Sequence, residues 1–121
     1  MMYNDKVLNE FFNPQNVGVI KAATAKGKVI YPVDREIVKL YIVVDGNKIT
    51  EASFQAFGCT STIACASYAT RTIIGKTLEE ANAITATDIE KELGGLPEGK
   101  KHSAKLAEDV IKSAIKNADK K

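Results

Sequence analysis

VKLYIVVDGNKITEASFQAFGCTSTIACAS (38–67) is the stretch that decides the fold. Its first part alternates: Val38, Leu40, Ile42 and Val44 share one apolar face of an extended chain, with Lys39 and Tyr41 on the other. Asp45-Gly46 supplies positive-φ turn chemistry. Ile49 to Phe57 then runs back, with Ala52, Phe54 and Ala56 alternating against Glu51, Ser53 and Gln55, so the pair predicts an antiparallel hairpin. From Thr60 the period changes. The small residues of STIACASYATRTII (61–74) predict a buried helix ended by Gly75. A strand therefore ends and a helix begins at Phe57-Gly58-Cys59.

Working outward, Asn4 to Phe12 reads as a short helix with Val7, Leu8, Phe11 and Phe12 on its apolar side, stopped at Asn13-Pro14. Residues 15–35 contain Gly18, Gly27 and Pro32, and only Lys28 to Tyr31 reads as a strand. Thr77 with Glu80, and Thr87 with Glu90, each fit a capping box, which predicts short helices near 77–83 and 87–93. Gly94-Gly95-Leu96-Pro97 reads as a loop. The last helix is expected from His102 to Ala118, with Leu106, Val110, Ile111, Ala114 and Ile115 as its buried stripe. Strands first and helices later argue an α+β fold: a small antiparallel three-stranded sheet, helices packed against it, and a long C-terminal helix.

The chain has 121 residues, which fits a single domain over 1–121. The 17 Lys and Arg nearly cancel against 15 Asp and Glu, leaving +2, so the basic excess of a nucleic-acid binder is missing. No apolar run reaches bilayer length, since IVKLYIVV (37–44) is broken by Lys39. MMYNDKVLNEFF (1–12) lacks the basic-then-apolar layout of a signal peptide. A cytoplasmic protein away from membranes is the expectation.

The two cysteines, Cys59 and Cys65, are six apart. On one helix their side chains would point roughly 240° apart at about 100° per residue, so a disulfide between them is geometrically poor. Both are expected as thiols in a reducing compartment, and two sulfurs cannot fill a four-thiolate metal site within one chain. Cys59, between strand and helix, is a candidate thiolate, because free backbone N–H groups and the helix dipole favour the anion there; the alternative is a small buried hydrophobe. Gly58 would let the backbone turn sharply there without a Cβ clash. Cys65, among Ile63, Ala64 and Ala66, reads as core. His102, the one histidine, reads as a solvated or capping side chain, or as a ligand if other parts of the fold bring partners. Asp34 and Glu36 flank Arg35, and alternation puts both carboxylates on one side of an extended chain. They could bind a metal, or form an exposed strand end that blunts edge pairing. No Gly-rich phosphate loop and no Ser/His/Asp order stands out, so an enzyme is not expected.

Beyond these readings, the chain resembles the U-type iron–sulfur cluster assembly scaffolds, the IscU/NifU N-terminal domain family. YNDKVLNEFFNPQNVGVI (3–20) resembles the family's opening helix and N-P-x-N-V-G turn, and residues 38–67 its hairpin, second cysteine and following helix. GKTLEEANAI (75–84), TDIEKELGGLP (87–97) and KKHSAKLAEDVIKSAIK (100–116) resemble its middle and last segments.

The resemblance implies a cluster site built from three cysteines, an aspartate and a histidine. Here Pro32-Val33-Asp34-Arg35-Glu36 stands for P-x-C-G-D, so Asp34 replaces the first cysteine and Glu36 the aspartate. Cys59 matches the second cysteine. His102-Ser103-Ala104 stands for H-C-S, so His102 is kept and Ser103 replaces the third cysteine. The implied metal set is Cys59, His102, Asp34 and Glu36, with Cys59 as sulfur acceptor. Cluster iron is normally held by thiolates, and one sulfur, one imidazole and one or two carboxylates suit a single Zn²⁺ or Fe²⁺ better than a [2Fe–2S] centre. Arg35 could instead pair with Glu36 or Asp34 and neutralise the site. The implied partners are a cysteine desulfurase and assembly chaperones, whose recognition stretch is only partly matched by Leu96-Pro97-Glu98-Gly99-Lys100. Two functions follow: a scaffold that holds iron or a labile cluster and takes sulfur at Cys59, or a non-cluster relative that binds one zinc or iron ion or regulates the desulfurase.

Overall fold

A computed structural model describes residues 3–33 and 35–119, and of Asp119 only the backbone. The element order is α1 (Asp5–Phe12), β1 (Ala25–Tyr31), β2 (Glu36–Asp45), β3 (Lys48–Phe57), α2 (Thr60–Ile73), α3 (Leu78–Asn82), α4 (Ala86–Glu92) and α5 (His102–Asp119). The three strands form one antiparallel sheet in chain order. The predicted hairpin is present, with an irregularity at Val43/Val44 that shifts the register near the turn. Val38, Leu40, Ile42, Ala52 and Phe54 point into the core. Helix α5 packs on β1 and β2, α2 packs on β3 and α5, and α1 rests on α2. The predicted α5 stripe is buried throughout.

Three local differences have physical causes. β1 begins three residues earlier than predicted, and Gly27 lies within it. A Cβ at Gly27 would stand 2.6 Å from the Ala114 nitrogen and 2.7 Å from the Val110 oxygen, so this glycine lets α5 press onto the strand and does not break it. On α1, Phe12 lies in solvent and Glu10 is buried instead. Glu10 accepts from Ser67 Oγ (2.7 Å) and Arg71 Nε (2.8 Å) on α2, so a charged clamp joins the two helices. The second capping box is Thr85 with Asp88, not Thr87 with Glu90: Thr85 Oγ1 accepts from the Asp88 N–H and Asp88 accepts from the Thr85 N–H.

β3 does not carry a bare outer edge. Val17 forms a parallel bridge to Phe54, and Gly75 and Lys76 hydrogen-bond to Ile49. The opposite end of the sheet is where the chemistry gathers.

Candidate metal and sulfur site

Four chain segments meet at that end. Tyr31 closes β1 and pairs with Glu36, the first residue of β2. Phe57 closes β3, Gly58 follows, and Cys59 is the N-cap of α2. His102 and Ser103 open α5. The antiparallel register sets this convergence: two strand ends, one strand start and two helix starts share one rim.

Ligand atoms of Glu36, Cys59 and His102 all lie within 4.8 Å of one another. The Glu36 side chain is buried, and each carboxylate oxygen has a partner. Thr62 Oγ1 donates to Oε1, and Oε2 lies 3.2 Å from His102 Nε2. The His102 ring stacks on Tyr31 at 4.3 Å between centroids and 11° between planes, which holds the imidazole facing the carboxylate. Cys59 is half-buried, with Sγ 3.2 Å from Ser61 Oγ, 3.4 Å from Thr62 Oγ1 and 4.0 Å from Ser103 Oγ. Ser61 and Ser103 are joined at 2.7 Å. Each thiol neighbour thus belongs to one buried hydroxyl network.

That network sets the thiol. Burial pushes the Cys59 pKa up, but hydrogen bonds at Ser61 and Thr62 together outweigh it and bring it below the ordinary thiol value. The Thr62 backbone N–H acts in the same direction, although Sγ makes no well-aligned capping bond, and the Glu36 carboxylate opposes it. Cys65 is the opposite case. It is fully buried in α2, and burial, with smaller contributions from Cys59 and Glu90, pushes it up to about 12. Of the two thiols, Cys59 is the accessible one.

The expectations for Glu36 need correction. It is not an exposed strand end, because its side chain is only 5% accessible. Its carboxylate is engaged by Thr62 and His102, not by Arg35, whose side chain is exposed. Arg35 has φ +55°, so the chain turns there, just before β2. Asp34 lies outside the described residues. Gly58 matters for space and not for a sharp turn: a Cβ there would meet Glu36 Oε1 at 3.0 Å and Thr62 Cβ at 3.1 Å. Leu96, in the partial chaperone stretch, is packed into the core.

Sequence reasoning gave Ser103 only as a replaced cysteine and did not single out Tyr31, Ser61 or Thr62. A hydroxyl at the second and third helical positions after an N-cap cysteine was the available signal for the last two.

The NifU-like N terminal domain family model matches residues 2–121. The chain belongs to this family. It is 46% identical over 114 residues to the iron–sulfur cluster assembly scaffold protein IscU 1 of Archaeoglobus fulgidus, covering 94% of this chain and 74% of that one. It is 44% identical over 119 residues to the scaffold protein IscU of Rickettsia prowazekii, covering 95% and 90%. The crystal structure of the N-terminal part of a nitrogen-fixing NifU-like protein from Brucella abortus superposes with a TM-score of 0.63 at 23% identity, covering 95% and 81%. That likeness bears on the fold, and the antiparallel sheet with helices is the fold expected of this NifU-like domain. Among the described residues no helix is long and apolar enough to cross a membrane.

Proposed function

We propose that this chain works as an iron–sulfur cluster assembly scaffold, taking sulfur at Cys59 and holding iron as cargo. The observation that carries the reading is the convergence of Glu36, Cys59 and His102 within 4.8 Å. Asp34 joins the proposed ligand set on sequence position alone. In the metal-free protein a hydrogen bond links Glu36 to His102, so an iron ion entering between them takes the place of that proton. One thiolate, one imidazole and one carboxylate give three donors of mixed softness, which suits a single iron. The names of the relatives speak for iron–sulfur cargo over a resident zinc ion.

For sulfur delivery the proposed partner is a cysteine desulfurase carrying a persulfide. The Cys59 thiolate attacks the terminal sulfur; a Cys59 S–S bond forms, the desulfurase S–S bond breaks, and the desulfurase leaves as its thiolate. The lowered thiol pKa favours the attacking anion at neutral pH. The chain presents acceptor and cradle, and the desulfurase makes the sulfur, so the role is that of a scaffold and not a catalyst. Assembly chaperones remain proposed partners only through residues 97–100, of which Glu98 and Gly99 are exposed and Pro97 and Lys100 half-buried.

The test is anaerobic incubation with a desulfurase, cysteine and ferrous iron. Mass spectrometry should find one added sulfur on Cys59, absent from Cys59→Ser. Ferrous iron binding should weaken at least tenfold in His102→Ala and in Glu36→Gln, with the persulfide still formed. Sulfur on Cys65, or full iron binding by Cys59→Ser, would overturn the reading.

A further inference from the structure

We propose that the outer face of the sheet docks an acidic, extended segment of a partner protein, which sets its carboxylates on Lys26, Lys28 and Lys39 and an apolar side chain against Ile37 and Phe57. This face lies on the far side of the sheet from α5. Leu40 points into the core and Gly27, its partner in register, faces α5, so the neighbours of both along their strands point the other way. Lys26 and Lys28 are exposed and Lys39 is half-buried.

These lysines weaken the sheet that carries them. Lys28 stands opposite Lys39 in register, and the Lys28 N–H points away from β2, to Ser113 Oγ at 3.3 Å. The two are therefore a non-hydrogen-bonded pair, the arrangement that brings side chains closer. Like charges directly opposite each other destabilise a sheet. On β3 the residue beside Lys39 is Gln55, and Glu51 is two rungs further on, past Ser53, whose hydroxyl donates to the Gly18 carbonyl. Among the described residues no ion pair uses Lys26, Lys28 or Lys39. A local rule broken without compensation inside the fold marks a place that serves something outside it.

The surroundings select the occupant. A hollow of about 260 Å³ beside the lysines is lined by Ile37, Lys39, Gln55, Ala56 and Phe57, and Phe57 is 73% exposed. Gln55 Oε1 accepts from the Tyr41 hydroxyl at 2.8 Å, which leaves the Gln55 amide NH2 to donate to a peptide carbonyl. Cations, an amide donor and an apolar hollow side by side fit a peptide with an apolar residue among its carboxylates. A nucleic acid calls for a broader cationic surface than a chain of net charge +2 presents here. The segment lies on the face and not along the β1 edge, because Asn117 and Ser113 of α5 already hold the outward Lys26 carbonyl (2.6 Å) and the Lys28 N–H.

The experiment titrates the acetylated, amidated peptide Glu-Glu-Phe-Glu-Glu into the isotope-labelled full chain and follows the backbone amides by NMR. The expected shifts gather at Lys26, Lys28, Lys39 and Gln55, with an affinity that falls at least tenfold as salt rises from about 20 to about 300 mM. Peptides with Gln for every Glu, or with Ala for the Phe, should bind at least tenfold more weakly. Lys28→Glu turns a repelling cross-strand pair into an attracting one, so its melting temperature should not fall while its peptide affinity drops at least tenfold. Lys28→Arg should keep that affinity. Cobalt(II) binding at Cys59, read by the thiolate-to-cobalt absorption band, should be unchanged in both variants. Shifts centred elsewhere, undiminished binding by Lys28→Glu, or equal binding of single-stranded DNA or of phosphatidylserine vesicles would overturn the proposal. So would loss of cobalt binding or of thermal stability in Lys28→Glu, which would trace the effect to the fold.

Discussion

Thr62→Val tests the hydroxyl network at its centre. The side chain is nearly isosteric, so packing in the core of the site is retained and only the hydroxyl is lost. Thr62 is 1% exposed and no water can take the place of its donor. Glu36 Oε1 then loses the hydrogen bond from Thr62, and Ser103 Oγ loses a neighbour at 3.2 Å. A buried acceptor stripped of its donor costs about 1–3 kcal/mol. At roughly 4 °C per kcal/mol for a domain of this size, the melting temperature should fall by about 4–12 °C.

Ser61→Ala tests the thiol. The one proton of the Thr62 hydroxyl goes to Glu36, which leaves Ser61 as the hydroxyl that donates to Cys59. Burial, which raises the Cys59 pKa, stays, while the hydroxyl that lowers it most is removed, so the pKa rises. The midpoint of the iodoacetamide rate against pH should shift upward, and Ser61→Thr should restore it. In the wild type the native pKa is depressed, so the thiolate's contribution to stability is present above the unfolded thiol's 9.0 and is lost as pH falls through the lower native value. Ser61→Ala should therefore lose part of its stability deficit as the pH is lowered through that value. A Thr62→Val variant within about 0.5 kcal/mol of wild type, the spread that surface substitutions give, would refute the Thr62–Glu36 bond as a support of the fold, and an unmoved alkylation profile in Ser61→Ala would refute the hydroxyls as the source of the perturbed thiol.

Native protein at neutral pH should take one alkyl group on Cys59 and none on Cys65 until denaturant is added, as counted by mass spectrometry. Because native Cys65 is held up to about 12 against 9.0 unfolded, its contribution to stability is full below pH 9 and falls as pH rises toward 12; urea midpoints of wild type and Cys65→Ala should differ in that alkaline slope. Glu10→Ala should cost about 1–3 kcal/mol in urea unfolding, because the fully buried Ser67 hydroxyl loses its acceptor, yet leave cobalt binding at the other end of α2 unchanged. Ser103→Cys places a second thiol where Oγ now lies 4.0 Å from Cys59 Sγ, and should raise cobalt(II) affinity at least tenfold with a stronger thiolate-to-cobalt band.

The hairpin, α2 and the α5 stripe were legible because each presents one long period to one core. Val38, Leu40 and Ile42 all point into the core, and a one-residue slip would turn all three outward. β1 was read short because Gly27 signals a break in isolation. Its real cause lies 83 residues away, where the backbone of α5 touches the strand at Val110. Glu10 drew no reading for a similar reason. Its acceptor role depends on Ser67 and Arg71, which no helical period of α1 can announce.

The candidate site was legible in its proposed ligands and not in what holds them. Cys59 and His102 are chemically conspicuous, whereas Thr62, Ser61 and Ser103 are ordinary hydroxyls until the fold places them around one sulfur. This explains how a site can exchange thiolates for oxygen and keep its shape. The Ser103 hydroxyl bonds Ser61 at 2.7 Å and lies 3.2 Å from Thr62, so the position is satisfied without metal. The carboxylate of Glu36 is in turn fixed by Thr62 and by an imidazole stacked on Tyr31. Under the proposed function, a cradle held this way exists before iron arrives, and iron binding would displace one Glu36–His102 hydrogen bond. On that reading, preorganisation would offset part of the affinity that the missing sulfurs would have supplied.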